Sequence, residues 1–224
     1  YYVEPKDSAD AMLVFGKTKK MLSFYSETFG VKYPWEKYAQ VMVRDYVSGA
    51  MENTSATVYG KFVFRNKQQL IDRNHEDIIA HELSHHWFGD YVTCESWSNL
   101  MLNEGFASYA EYLWMEHEYG KTLADKHLYQ DLQAYLSDHP WKEVIRFKYE
   151  DKEDMFDDHS YEKGCLILHQ LRNTVGDDAF FASIKLYLEK NAFKSVEIHN
   201  LRLAFEETTG EDLNWFFNQW FFKK

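Results

Sequence analysis

Two histidines four residues apart, with a glutamate beside the first, constrain this chain more than any other feature. Residues 81–85 read His81-Glu82-Leu83-Ser84-His85, inside a helical pattern running from Glu76 to Phe88. Positions four apart share a helix face, so both imidazoles can reach one ion. Each helical residue advances about 100°, which turns Glu82 off the ligand face but keeps it within reach of a water on that ion. Zinc takes imidazole and carboxylate ligands, and a catalytic site keeps its fourth position for water. A third protein ligand must therefore come from elsewhere in the chain.

Glu104 is placed to supply it. It stands nineteen residues beyond His85, in Asn103-Glu104-Gly105-Phe106-Ala107. A second helical pattern, Leu100 to Tyr119, opens there after a break at Gly89 to Ser96. That break is long enough for the chain to turn back and bring one carboxylate against the two-histidine face. The expectation is one zinc per chain, held by His81, His85 and Glu104. A metal-free surface pair of histidines is the bland alternative, and the returning carboxylate counts against it. The metzincin extension needs Gly three and His six residues past the second ligand; Phe88 and Tyr91 hold those places, so that class is excluded. Glu111, seven residues after Glu104 on the same helix face, is either an acceptor behind a ligand histidine or a solvent-exposed carboxylate.

Composition bounds the rest. Lys and Arg number 25 against 36 Asp and Glu, a net charge of −11 that argues against nonspecific nucleic-acid binding. No apolar run approaches the length of a membrane span. At 45% hydrophobic the 224 residues can bury a core as one large domain or two joined lobes. Cys94 and Cys165 are too few for a disulfide framework and read as small hydrophobes. The opening Tyr1-Tyr2-Val3-Glu4-Pro5 has no initiator Met and no signal-peptide pattern, so the chain reads as a piece of a longer protein, with localisation open. Aromatics reach 18%, and six fall within residues 214–223, where a helix apolar on all sides is read as buried in the core or facing a neighbouring domain.

Along the chain, apolar residues at helical spacing run from 8 to 29, behind Asp7 and Ser8 as caps and ending at Gly30. Strand-like tracts follow at Tyr38 to Val47 and, broken near Gly60, at Thr54 to Phe64. From about residue 74 the pattern is helical almost to the end, interrupted by Gly89 to Ser96 and by an irregular stretch from His139 to Ser160. The acidic run Glu150 to Asp158 within it reads as a solvated loop or a substrate-facing rim. Strands early and helices late indicate an α+β fold, with a small sheet lobe and a larger helical lobe.

Between the two strand-like tracts lies Gly49-Ala50-Met51-Glu52-Asn53. Followed by HExxH, eighteen residues and Glu, this GAMEN sequence resembles the zinc aminopeptidases related to aminopeptidase N and leukotriene hydrolase, members of the gluzincins. The resemblance extends to His85-His86-Trp87-Phe88-Gly89-Asp90, Asn103-Glu104-Gly105-Phe106-Ala107 and Tyr161-Glu162-Lys163-Gly164, and so covers nearly the whole chain. It implies a single thermolysin-like metallopeptidase domain over 1–224, its sheet-bearing lobe at about 1–72 and its helical lobe at about 73–224. His81, His85 and Glu104 match the zinc ligands, and Glu82 the general base that activates water. Glu52 matches the carboxylate that captures a peptide's free α-amino group; the backbone around Gly49 and Ala50 aligns the peptide like an added strand. Tyr161 matches the phenol that donates to the developing oxyanion. His86 points away from the ligand face and reads as structural; the other seven histidines show no metal spacing. Relatives carry a β-rich domain before this region and a helical domain after it, both outside this sequence. Three readings stand: a zinc aminopeptidase domain acting on peptides with a free N-terminus, a thermolysin-type zinc endopeptidase, and a folded zinc-binding but inactive scaffold. Thermolysin-type enzymes have a spacing to Glu one residue longer and lack GAMEN.

Overall fold

The computed structural model describes residues 1–64, 75–137 and 142–223. Helices α1 (Ala11–Phe15) and α2 (Thr18–Thr28) replace the single helix expected over 8–29. The chain turns at Gly16 and Lys17, yet Ala11, Val14, Phe15, Thr18, Met21 and Tyr25 still form one buried stripe. Asp7 and Ser8 do not cap it: Asp7 ends a short 3-10 turn, and the Ser8 hydroxyl donates to the Pro5 carbonyl at 2.9 Å.

Three strands follow: β1 (Ala39–Val43), β2 (Ala50–Met51) and β3 (Ala56–Gly60). They form one sheet in the order β1-β3-β2, with β1 and β3 parallel and β2 antiparallel to β3. The strands are shorter than their apolar tracts, because Gly60 leads into a 3-10 turn and residues 44–49 loop out. Alternation sends Gln40, Met42, Thr57 and Tyr59 inward. The buried polar groups satisfy one another: Thr18 Oγ1 donates to Gln40 Oε1 at 2.7 Å, and Gln40 Nε2 donates to the Tyr59 hydroxyl at 3.3 Å. The short strand β2 lies at the end of the sheet beside the helix that follows.

That helix, α3 (Glu76–Ser84), opens the helical part: β4 (Val92–Cys94), α4 (Met101–Tyr119), α5 (Lys121–Ser137), α6 (Glu162–Val175), α7 (Asp177–Lys190), β5 (Lys194–Val196), α8 (Ile198–Thr209) and α9 (Asn214–Trp220). The α+β class is as expected, while the expected lobe border near 72–73 lies outside the described residues. α3 ends four residues earlier than its pattern predicts, with His85 at its C-cap. β5, unseen in the sequence, pairs in parallel with β4; only Val196 of its three residues is buried, which left no periodic signal.

α4 is the central helix and packs against α3, α5 and α6. Eleven of its residues are buried, from Met101 to Trp114. The N-terminus of α3 is fixed by Glu76, whose carboxylate accepts from Trp114 Nε1 at 3.2 Å and the Tyr119 hydroxyl at 2.7 Å and pairs with Lys17 at 2.8 Å. One buried acid thus joins α3, α4 and the turn that leads into α2. The aromatic C-terminus is half core: Phe216, Phe217 and Phe221 are buried, while Trp215 is 60% exposed.

Candidate metal centre and its cleft

His81 and His85 leave the end of α3 one turn apart, their ring centroids separated by 4.8 Å. Glu104, in the first turn of α4, places Oε2 3.2 Å from His81 Nε2 and 3.3 Å from His85 Nε2. All three side chains are largely enclosed, at 12%, 1% and 8% exposure. Each imidazole spends its other nitrogen on the protein. His81 Nδ1–H donates to Glu111 Oε1 at 2.7 Å, and His85 Nδ1–H donates to the Phe88 carbonyl at 2.9 Å. With both Nδ1 atoms donating, two Nε2 lone pairs and a carboxylate oxygen converge on one point. Protons on the Nε2 atoms or a metal ion relieve that convergence, and two imidazoles with one carboxylate fit zinc. The same field acts on protons: burial draws His85 down, but Glu104 and Glu52 outweigh it and lift its pKa to about 9. Burial likewise opposes the charge on Glu104, yet the two histidines hold its pKa well below the carboxylate range.

Local sequence explains the tight fit. Gly89 has φ +143°, and a Cβ there would stand 3.2 Å from the His85 carbonyl oxygen and 3.3 Å from His85 Nδ1. Only glycine lets the chain fold back so that Phe88 can orient His85. A second close approach joins α4 to α6: a Cβ on Gly105 would lie 3.1 Å from Gly164 Cα. That crossing brings Glu104 beside Tyr161, the N-cap residue of α6.

The remaining sequence candidates gather around this centre. Glu82 is buried, and its Oε2 has no hydrogen-bond partner among the described residues. Burial raises its pKa to about 7, against the pull of His81 and His85. The Tyr161 ring stacks on His81 with centroids 6.1 Å apart and planes 9° from parallel. Burial and the neighbouring Glu104 carboxylate keep its phenol protonated far above the usual tyrosine range. Glu111 falls behind His81 rather than in solvent, and burial raises its pKa. Ala50 and Met51 form β2, while the Gly49 carbonyl accepts from Gly60 N at 3.0 Å and the Asn53 carbonyl accepts from Ala56 N at 2.8 Å. Glu52 follows directly, its carboxylate within 4.8 Å of ligand atoms of Glu82 and His85.

Several residues near the site have partners to which no sequence signal pointed. His86 is fully buried, and burial pushes its pKa down to about 4. His127, on α5, forms with Asp77 and Glu111 a second cluster whose ligand atoms lie within 4.8 Å of one another, and its Nδ1 is 3.0 Å from Asp131 Oδ2. The acidic run is not simply solvated. Asp157 turns inward: Arg146 donates to both carboxylate oxygens at 3.0 Å, and the backbone N–H groups of His159 and Ser160 donate to Oδ1. Its own carbonyl accepts from Tyr161 N at 3.2 Å. Spacing could not reveal this, because Arg146 and Asp157 share one irregular stretch whose backbone has no period to set one side chain against the other. An apolar cavity of about 690 Å³ between α5 and α6, lined by Leu128, Leu132, Ile167 and Trp220, lies away from these groups.

The peptidase family M1 domain matches residues 13–220. Aminopeptidase N of Streptomyces lividans is 36% identical over 94% of this chain, and human endoplasmic reticulum aminopeptidase 1 is 32% identical over 89%. The match covers 26% and 22% of those proteins, so the chain spans about a quarter of the curated relatives it matches. Among solved structures, the M1 zinc metallopeptidase of Deinococcus radiodurans aligns with TM-score 0.76 at 31% identity, over 92% of this chain and 43% of that one. A variant of it bound to a Tyr-Ser-Ala substrate aligns at TM-score 0.77, with 30% identity, over 92% and 44%. Matched over nearly its full length in sequence and in fold, this chain belongs to peptidase family M1.

Proposed function

We propose that this chain is the catalytic domain of a zinc aminopeptidase, binding one zinc through His81, His85 and Glu104 and releasing the N-terminal residue of peptides. The observation that carries this reading is the position of Glu52, a carboxylate within 4.8 Å of both Glu82 and His85, at the end of the short edge strand β2. A carboxylate there meets the ammonium of a peptide whose first carbonyl lies at the metal centre, so register is counted from the free N-terminus. The names of the relatives and the tripeptide in the Deinococcus structure support the same substrate class. We assign the whole of 1–224 to one domain, with a sheet-bearing part before α3 and a helical part from α3 onward; flanking domains of a parent protein would border the cleft.

Zinc, when bound, makes water nucleophilic near neutral pH and polarises the scissile carbonyl. Glu82 takes the proton from the attacking water on its unpartnered Oε2 and passes it to the leaving amine. Tyr161 donates its phenolic proton in a hydrogen bond to the developing oxyanion. Glu111 holds the His81 ring in the tautomer that leaves Nε2 free for metal. The outer edge of β2 accepts the substrate backbone as a further strand, and Glu52 anchors the ammonium. The test is hydrolysis of an aminoacyl amide and its N-acetyl counterpart by the zinc-loaded chain. The free amine should be strongly preferred, and Glu52→Ala should erase most of that preference. Equal rates on both substrates would instead mark an endopeptidase.

A further inference from the structure

The Glu52 anchor works as a ruler only if its distance from the metal centre is fixed, and nothing in the loop itself fixes it. Residues 52–55 are half-buried or exposed, and Ser55 sits at φ +61°, a left-handed conformation costly for a residue with a Cβ. The Asn53 carbonyl closes a turn by accepting from Ala56 N at 2.8 Å, which shapes the loop without attaching it to α3.

The attachment is made by His86. Its ring is fully buried, with Tyr33 at 5.6 Å and Tyr38 at 5.0 Å between centroids, the latter edge-on. Nδ1 faces two acceptors, the carbonyls of Glu82 at 3.3 Å and Leu83 at 3.2 Å, so Nδ1 carries the hydrogen. That tautomer leaves Nε2 bare, and it accepts the Ser55 backbone N–H at 2.9 Å. Thr54 is held alongside by a hydrogen bond to Asp90, whose Oδ2 lies 3.8 Å from Nε2. One imidazole therefore spans from the backbone of Glu82 to the loop that begins at Glu52. It is rigid, enclosed and restricted to one tautomer, and it stands 31 residues along the chain from the Ser55 N–H that it holds.

We propose that His86 is the positioning residue that sets the spacing between the ammonium anchor Glu52 and the metal centre, and thereby the selectivity for a free N-terminus. The proposal rests on the reading of Glu52 as the anchor. Loss of the Nε2 acceptor leaves the half-buried Ser55 N–H unpaired, and the loop then moves to rehydrate it, taking Glu52 out of register.

Binding tests this without turnover. In a zinc-loaded Glu82→Gln background, calorimetry compares an aminoacyl amide with its N-acetyl counterpart. His86→Leu and His86→Asn both lack an acceptor at the Nε2 position; each should keep its zinc and lower the free-over-blocked affinity ratio about tenfold, the worth of roughly one hydrogen bond. His86→Gln restores an acceptor near the position of Nε2 and should keep the ratio within about twofold. Should the leucine variant fail to fold, the smaller polar asparagine carries the comparison. A ratio lost in Glu52→Ala but kept in both His86→Leu and His86→Asn would overturn the role of His86 alone. So would equal losses in the glutamine and leucine variants. An unchanged ratio in Glu52→Ala would remove the anchor itself, and the proposal with it.

Discussion

The buried place of Glu82 on α3 suits it to take up a proton. Two neighbouring carboxylates and burial oppose its charge, and the histidine pair opposes them, leaving a base near neutrality. Glu82→Gln should keep its metal, since the amide has nearly the same shape and the ligands are untouched, while kcat falls by roughly 10²–10⁴. Metal analysis alongside steady-state kinetics checks both halves; a kcat near that of the parent chain would reject the role. Glu111 acts one bond further out. Removing its acceptor charge with Glu111→Gln leaves His81 Nδ1–H bonded to a weaker partner, and zinc affinity should fall about 10–100-fold by chelator competition. These residues were legible because a helix repeats: 81 and 85, then 104 and 111, share faces whatever surrounds them. His86 and Arg146 were not, since the Ser55 N–H and the Asp157 carboxylate become their neighbours only after folding.

Between elements, the decisive contact is α4 against α6, where Gly105 and Gly164 let the helices approach closely enough for a ligand on one to touch the phenol at the start of the other. Asp157 fixes the approach to that helix. Burial alone would raise its pKa, but hydrogen bonds from His159 and Arg146 prevail and hold it well below the usual aspartate range. Because the folded-state value is depressed, its stabilisation is complete above the unfolded-state value of roughly 3.9 and is lost as pH falls below it. Asp157→Asn should therefore cost about 2 kcal/mol at pH 7 and flatten the acid side of a melting-temperature profile between about pH 4 and pH 2. An unchanged acid slope would show that the carboxylate is not the anchor. The sequence pattern located α4 to within a residue or so because its apolar stripe is long. It overran α3, whose last expected turn holds buried side chains in a non-helical loop, and it missed β5, which has one buried residue. Apolar periodicity reports burial, and burial without a regular backbone misleads it.

Considered whole, the protein is organised about α4, with α3, α5 and α6 packed around it, and the candidate metal centre lies at the α3–α4 contact. The α+β class, a small early sheet and a mainly helical remainder, was readable from the chain because the two periods, two and 3.6, seldom mimic each other over many residues. The packing of helices around α4 was not readable, since any amphipathic helix can in principle meet any other. That arrangement has a thermodynamic consequence. The three proposed ligand side chains come from the end of one helix and the start of another, and an unfolded chain does not hold them together, so zinc should bind the folded state far better than the unfolded one. Stability should rise with free zinc as RT ln(1 + [Zn]/Kd), which is about 2.7 kcal/mol at one hundred times Kd. For a chain of this size each kcal/mol moves the melting temperature by roughly 2–4 °C. Going from chelated to zinc-saturated protein should thus raise the midpoint by about 5–10 °C, with a further rise for each tenfold increase in zinc. The comparison is scanning calorimetry across buffered zinc concentrations. His81→Ala removes a ligand and should abolish the dependence over that range, whereas Glu82→Gln should leave it intact. A midpoint indifferent to zinc in the parent chain would mean that the metal does not bridge α3 and α4.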